Sequence, residues 1–376
     1  MSRPEPTVCF IARPDFESKP GGDTVQWHMY ERAARAAGLR TVAWFGDEPR
    51  PAADVYHAFN IDRPLELYPK LRQVKRAGRP FALSTIHHPN EWLEKFRTQH
   101  PPSGFLGRML YRSPLGKSVP VSESIKEAVR LVQQRRPGHL MDLWPTWSRR
   151  VDWLLREADT ITLLSEQEAE FLRRDFGYAS RPGQATVIPN WVEGVGNPKA
   201  PVPAVFAELA EPPVIVVGRA EARKNGLRVA RLADEARRPV LFVGRPNPNE
   251  PGYAAAMQAA VAGSRFARWI PGVPREEMAG FYAHASFLLN ASYVEVSPLV
   301  DIEALMFGCP VTTTRFALHH ALLPRDTPVC DAYDDDDLRR RLSWRPARRA
   351  PENVIDPVAV KRDLLDHYRR LACVST

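Results

Sequence analysis

Residues 213–236 read PVIVVGRAEARKNGLRVARLADEA, and how this stretch divides decides the fold. Its first part, PVIVVG, is an apolar β-branched run closed by glycine, the pattern of a strand buried on both faces. Its last part, NGLRVARLADEA, changes to the three-to-four-residue spacing of an amphipathic helix. The loop between them carries Arg219, Arg223 and Lys224. Strand, short loop and helix in that order form the front half of a parallel crossover unit.

The same alternation continues outward. PVLFVG (239–244), ARWIPG (267–272), SFLLNA (286–291) and PVTTT (310–314) read as strands, and PREEMAGFYAHA (274–285) and PLVDIEALMFG (298–308) as helices between them. Toward the N-terminus, TVCFIA (7–12), a glycine-bearing loop and the helical VQWHMYERAARAAGLR open a second series. It continues through TVAWFG (41–46), ADVYHAFN (53–60), PFALSTIHH (80–88), ADTITLLS (158–165), the helical EQEAEFLRRDFG (166–177) and ATVIPNWVE (185–193). Between the two lies the proline-rich NPKAPVPAVFAELAEPP (197–213), which reads as a linker with one short helical turn. The expected fold class is therefore α/β, with two Rossmann-like, doubly wound parallel-sheet domains facing across a cleft at the carboxyl ends of their strands. Residues 1–198 form the first domain, 199–212 the linker and 213–356 the second domain, while an amphipathic helix at 357–376 packs back on one of the halves, the first being the natural choice.

Composition sets the outer bounds. With 376 residues and 44% hydrophobic content the chain has material for two cores. It shows neither a secretory leader nor an apolar run of membrane-spanning length, so a soluble cytoplasmic protein is expected. Cys9, Cys309, Cys330 and Cys373 have no metal-knuckle or redox spacing and read as reduced, mostly buried thiols. A formal net charge of +8 calls for an anionic partner. The excess concentrates between Glu91 and Arg156, with 12 Lys and Arg against 6 Asp and Glu, and the same stretch holds Phe96, Phe105, Tyr111, Trp144, Trp147 and Trp153. Such a mixture suits the anionic face of a membrane; a helical insertion with buried aromatics and solvated arginines explains it equally well.

Three places carry candidate chemistry. Gly21 and Gly22 precede a helix, where glycine admits close approach of an anion to backbone amides; an ordinary turn is the alternative. Arg219 and Lys224 stand at the carboxyl end of a strand, where a forked guanidinium and a point-like ammonium suit a diphosphate; a solvated basic turn is the alternative. In YVEVSPLVDIEALMFGCP (293–310), Glu295 precedes the helix and Glu303 lies within it, with Pro298 in the first turn. Six residues from Ser297 to Glu303 span roughly 9 Å if helical, about the reach of a diphosphate and its flanking atoms. An elongated ligand with hydroxyls at both ends and phosphates between them, a nucleotide sugar, satisfies all three places, with the helix start at Ser297, Pro298 and Leu299 turned to the phosphates. The acidic run DAYDDDDLRRRL (331–342) is read as first-turn acids of a helix, not as a metal site.

These residues together resemble family 4 of the retaining glycosyltransferases, which have the GT-B fold. The matching pieces are GGDTVQ, STIHH, VIPNWVE, GRAEARKN and the E-x7-E of EVSPLVDIEALMFGCPV. The resemblance implies Gly22 as a diphosphate amide donor, Arg219 and Lys224 as the diphosphate clamp, Glu295 as a donor-sugar contact and Glu303 as a ribose contact. It implies His87 near the reacting sugar, with His88 where the family usually has aspartate; His87 and Glu295 are thus the catalytic candidates. It implies transfer from a nucleotide-sugar donor to a sugar, lipid-linked sugar or other small acceptor, with retention and without a metal or other cofactor, in cell-surface polysaccharide or glycolipid assembly. Two departures stand out: Trp191 replaces the glycine of the usual P-N-G, and TTTRFALHH (312–320) replaces a common glycine pair. A nucleotide-sugar epimerase would need the same clamp and carboxylates. A nucleic-acid-binding protein would explain the charge, but no reader motif appears and no nucleic acid partner is expected.

Overall fold

A computed structural model describes residues 5–18, 21–101, 118–133, 144–193 and 199–374. The chain divides into two compact units, Met1–Asn190 joined by Val358–Thr376, and Trp191–Pro357.

In unit 1, β1 (Thr7–Ile11), β2 (Arg40–Trp44), β3 (Val55–Phe59), β4 (Phe81–Ser84), β5 (Thr160–Leu163) and β6 (Ala185–Val187) form one parallel sheet in the order β2-β1-β3-β4-β5-β6. Its helices are α1 (Gly22–Ala36), α2 (Pro64–Arg76), α3 (Asn90–Gln99), α4 (Val119–Gln133), α5 (Trp147–Glu157) and α6 (Glu166–Phe176). Strands β1, β3, β4 and β5 are buried along their whole length, as apolar runs covered on both faces must be, whereas the edge strand β2 is partly exposed. Trp147, Val151, Leu154 and Leu155 on α5 enter the core beside Leu67, Leu71 and Val74 of α2. The described part of the basic stretch thus contributes to the core: Trp147 is buried, Trp153 packs against the core, Phe96 stacks on His100 at 5.1 Å, and Trp144 is largely exposed. Phe105 and Tyr111 lie outside the described residues.

In unit 2, β7 (Val214–Val217), β8 (Val240–Val243), β9 (Ala267–Ile270), β10 (Phe287–Leu289), β11 (Val311–Thr314) and β12 (Val329–Cys330) form a second parallel sheet, ordered β12-β11-β10-β7-β8-β9. Its helices are α7 (Gly226–Ala236), α8 (Pro251–Ala262), α9 (Met278–His284), α10 (Leu299–Met306) and α11 (Asp335–Leu342). The expected linker is counted within this unit. It carries one 3-10 turn, Ala204–Glu208, whose Phe206 joins the core with Phe281.

The last helix, α12 (Pro357–Val374), belongs to unit 1. Tyr368 reaches the centre of the sheet, its hydroxyl 2.8 Å from Nδ1 of His57, while His57 Nε2 meets Ser84 Oγ at 2.9 Å. Burial pushes His57 down to about 3, so the ring is neutral and bonds as one donor and one acceptor. Cys9, Cys309 and Cys330 are buried free thiols and Cys373 is exposed.

Asp334 caps α11, accepting from the amides of Asp336 at 2.9 Å and Asp337 at 3.1 Å, as the acidic run foretold. Asp335 pairs with Arg228 and Arg231, Asp336 with Arg339, and Asp337 with Arg340.

Candidate functional site

The winding direction of the second sheet reverses at β7, which has β8 on one side and β10 on the other. Open α/β sheets bind ligands in the crevice such a reversal leaves at the carboxyl ends of the strands. Here that crevice is a recess of about 410 Å³, lined by Gly218, Arg219, Glu221 and Lys224 after β7, Trp269 of β9, Tyr253 and Met257 of α8, and Asn290 to Ser292 after β10. Its lining combines apolar and aromatic side chains with two cations and the acid Glu221.

Glycine makes the recess possible. The loops after β7 and β8 run side by side, the Gly218 amide donating to Val243 O at 3.0 Å and the Ala220 amide to Arg245 O at 2.9 Å. Gly244 adopts φ +156°, and a Cβ there would lie 1.9 Å from Gly218 O, so a side chain would force the loops apart. Gly218 in turn leaves room for the aliphatic stem of Lys224. Lys224 ends a single 3-10 turn, Ala222–Lys224, and Asn225 follows it in the left-handed region at φ 62°. The Asn225 amide side chain fixes the turn by donating to Ala291 O at 3.1 Å and Ala332 O at 3.0 Å.

The cations of this loop are held by acids. Lys224 forms an ion pair with Glu295. Buried Glu221 receives Arg219 at 3.2 Å and Arg223 at 3.3 Å, and accepts from Asn247 Nδ2 at 2.9 Å. Burial alone would raise the Glu295 carboxyl, but the charges of Lys224 and Arg223 overcome it and hold it down at about 2. Glu295 is positioned by its backbone: its amide donates to Phe316 O at 2.8 Å, and Leu318 N donates to Val296 O at 3.1 Å. The TTTRFALHH segment that replaces the glycine pair is therefore the rail along which the Glu295 loop lies. His319, at its end, bonds Asp301 of α10 at 3.0 Å.

Helix α10 begins at Leu299, with Pro298 as its N-cap residue rather than in its first turn. Only four residues of helix separate Leu299 from Glu303, about 6 Å of rise, less than the wholly helical reading from Ser297 gave. Glu303 accepts from the Tyr282 hydroxyl at 2.8 Å and faces Arg275 at 3.5 Å; burial raises its carboxyl despite both. Ser297 Oγ is buried and has no hydrogen-bond partner among the described residues.

Gly21 and Gly22 belong to unit 1. Gly21 caps α1 and Gly22 opens it, with open space where a Gly22 side chain would stand. Two amides of this helix start are already engaged, Gly21 N by Thr24 Oγ1 at 3.0 Å and Thr24 N by Asp23 Oδ1 at 2.9 Å.

His87 differs from the expectation of a group offered to a reacting sugar. Its ring is 0% exposed, with Nδ1 2.8 Å from Asp62 and Nε2 2.7 Å from Asp175. Burial would lower it, but the charge of Asp62 and the bonds to both acids push it up to about 9, so at neutral pH it is an imidazolium donating on both sides. His88 is the more accessible ring, its Nδ1 2.9 Å from the other oxygen of Asp62. The loop holding both is strained: Ile86, β-branched, stands at φ 47°. Buried Glu168 restrains it, accepting from the Thr85 hydroxyl at 2.6 Å and the His87 amide at 2.8 Å.

Sequence reasoning missed Glu221, Trp269, Tyr253, Asp62 and Asp175. Glu221 had a signal, an acid inside a basic turn; the others become visible only once distant segments meet.

No family model matches the chain. It is 27% identical over 256 residues to the D-inositol 3-phosphate glycosyltransferase of Nocardiopsis dassonvillei, a match covering 60% of this chain and 59% of that protein. The chain thus spans less than two thirds of that relative's length. Among solved structures it superposes on sucrose-phosphate synthase of Thermosynechococcus elongatus with a TM-score of 0.67 at 16% identity, covering 98% of this chain and 99% of that one. It also superposes on HepE of Anabaena, solved in complex with UDP-glucose, with a TM-score of 0.57 at 12% identity over 99% and 95% of the two chains. The chain therefore has the GT-B fold, and it is similar to glycosyltransferases in sequence as well as in architecture.

Proposed function

We propose that the protein transfers a sugar from a nucleotide-sugar donor to an acceptor hydroxyl, with retention of configuration and without a metal, in the assembly of a cell-surface polysaccharide or glycolipid. The observation that carries this reading is the recess at β7, where Arg219 and Lys224 line the switch point and Glu295 pairs with the ammonium. The nucleobase packs against the apolar wall of Trp269 and Tyr253, and Glu303 accepts from the ribose hydroxyls. The diphosphate takes Lys224 from Glu295, which then accepts hydrogen bonds from the donor sugar, while the start of α10 at Ser297, Pro298 and Leu299 faces the phosphates.

In the reaction the bond from the anomeric carbon to the diphosphate breaks. Arg219 and Lys224 stabilise the charge that grows on the leaving oxygen. The acceptor oxygen bonds to the same carbon on the same face, and its proton passes to the departing phosphate. His87, enclosed by Asp62 and Asp175, acts through His88 by fixing Asp62 and the strained loop. The similarity to a glycosyltransferase supports the donor class, and the HepE complex with UDP-glucose supports a uridine nucleotide as the first donor to test.

A peripheral site on an anionic membrane face, in the cytoplasm, completes the proposal. Ile125, Val129 and Val132 form an exposed apolar stripe on α4, and Trp144 is 69% exposed beneath the guanidinium of Arg149. Among the described residues no helix is long and apolar enough to cross a membrane.

The test is a thermal-shift screen of the full chain with UDP, GDP and ADP and their glucose conjugates, with and without EDTA. One base is expected to stabilise the fold equally in both conditions, and Lys224→Ala to abolish the shift. Absence of a shift with every nucleotide would reject the proposal.

A further inference from the structure

We infer that unit 1 carries, at the β6 edge of its sheet, a binding site for a small monocarboxylate with an apolar body, an aryl or short branched acyl acid. The site stands on its own geometry and does not rest on the glycosyl-transfer reading.

Strand β6 closes this edge of the sheet with only three residues, all of them partly exposed. Beside it, between β5 and α6, a recess remains whose usable interior is about 130 Å³. That is close to the roughly 150 Å³ of an apolar cavity that takes up benzene. Its floor is the rim of the core: Ile161, Leu163, Leu172 and Tyr178 line it, and all four are buried members of the hydrophobic cluster. The Tyr178 hydroxyl is already committed, donating to Gln184 Oε1 at 2.6 Å. On the α6 side the wall is Ala169, whose small side chain leaves the space open. An apolar ring or branched chain seated there leaves water for a preformed apolar surface.

Charge selects what the apolar body carries. Arg173 lines the same recess and is exposed, and its guanidinium has no ion pair or hydrogen bond among the described residues. Its neighbour Arg174, by contrast, is held by Glu91 at 2.6 Å. Arg181 and Arg156 add positive charge around Tyr178, Arg181 donating to Ala158 O at 3.0 Å and Arg156 to Asp152 at 2.7 Å. One available planar fork matches one carboxylate, two parallel N–H groups to two oxygens. A dianion would need a second uncommitted cation, and both of the others are engaged.

The recess is separate from the His87 loop. Glu168 and Asp175 hold that loop from another face of α6, roughly 100° round the helix from Ala169, Leu172 and Arg173. Substitutions at Ala169 and Arg173 therefore leave the contacts of the loop in place.

The test titrates benzoate, cyclohexanecarboxylate, benzyl alcohol and acetate into the full chain, followed by ligand-observed NMR, with and without excess UDP. Benzoate and cyclohexanecarboxylate are expected to bind with a Kd on the order of 1 mM, and UDP to displace neither. Benzyl alcohol, which keeps the ring and lacks the charge, should bind roughly two- to five-fold more weakly than benzoate, the worth of an exposed ion pair. Acetate, which keeps the charge and lacks the ring, should not bind detectably. Arg173→Gln should bring benzoate down to the affinity of benzyl alcohol and leave benzyl alcohol unchanged. Ala169→Leu, which fills the recess, should abolish binding of both while its melting temperature stays near that of wild type. The inference is overturned if benzoate does not bind, if acetate or benzyl alcohol binds equally well, or if UDP displaces it. Benzoate affinity unchanged in Arg173→Gln, or retained by a folded Ala169→Leu, would overturn it as well.

Discussion

Replacing Lys224 by Met takes the principal counter-charge from a buried carboxylate, and the consequence can be worked out. Glu295 is held at about 2 against an ordinary 4.5, although burial works the other way. At about 1.4 kcal/mol per unit, this is a preference for the charged form on the order of 3 kcal/mol. Because the folded value lies below the unfolded one, that stability is present above about pH 4.5 and is lost as pH falls toward 2. Lys224→Met removes most of it and leaves a desolvated charge, so the variant should lose on the order of 3 kcal/mol at pH 7 and begin acid unfolding at higher pH. Adding Glu295→Gln removes the stranded charge, and the double variant should regain most of the loss, with a coupling of about 2 kcal/mol across the four-variant cycle. Nucleotide affinity should behave differently. Lys224→Met and the double variant should both bind a nucleoside diphosphate about ten- to a hundred-fold more weakly, since a charge-assisted hydrogen bond is gone in each. Urea midpoints and calorimetry with UDP measure the two quantities on the same preparations. A double variant as unstable as Lys224→Met would show that the pair is not the source of the coupling, and undiminished UDP affinity in Lys224→Met would remove the ammonium from the site.

The His87 imidazolium is raised to about 9 from an ordinary 6.5, so its contribution, on the order of 3 kcal/mol, is complete below about pH 6.5 and is lost as pH rises through 9; His87→Gln should flatten the fall in urea midpoint between pH 6 and pH 10, and an unchanged fall would assign it to other groups. Gly244→Ala should cost roughly 2–4 kcal/mol, because its Cβ meets Gly218 O at 1.9 Å, and a melting temperature equal to wild type would contradict that approach. Val129→Ser combined with Val132→Ser, both on the exposed stripe, should leave the melt nearly unchanged while reducing recovery on anionic vesicles in low salt; equal wild-type recovery on neutral vesicles would refute the membrane surface.

How far the sequence could be read follows from where its signals are local. Most strands of unit 2 were legible because they are short apolar runs with glycine or proline at one end or both, and the basic loop after β7 because its cations lie close together in the chain. Helix α8 was not, since PGYAAAMQAAVA shows little contrast between its faces, and α2 carries Pro69 inside it, which reads as a break. Strand β12 has only two residues, too few for any period. In the basic stretch, charge concealed a core layer: Arg150 is buried against Glu127, and Trp147 lies inside the hydrophobic cluster. His87 shows the same limit at the site. Its acids stand 25 and 88 residues away, so its enclosure follows from tertiary contact, which no spacing rule reports.

Tyr368, bonded to His57, gives the order of synthesis a physical meaning. Every strand of the first sheet leaves the ribosome before residue 190, yet the helix that covers His57 emerges only after the whole of unit 2. The nascent first sheet must wait with an imidazole uncovered at its middle, while the later unit has all its own segments in hand. A released chain truncated after residue 356 should accordingly hold a protease-resistant second unit beside a first unit still open to cleavage.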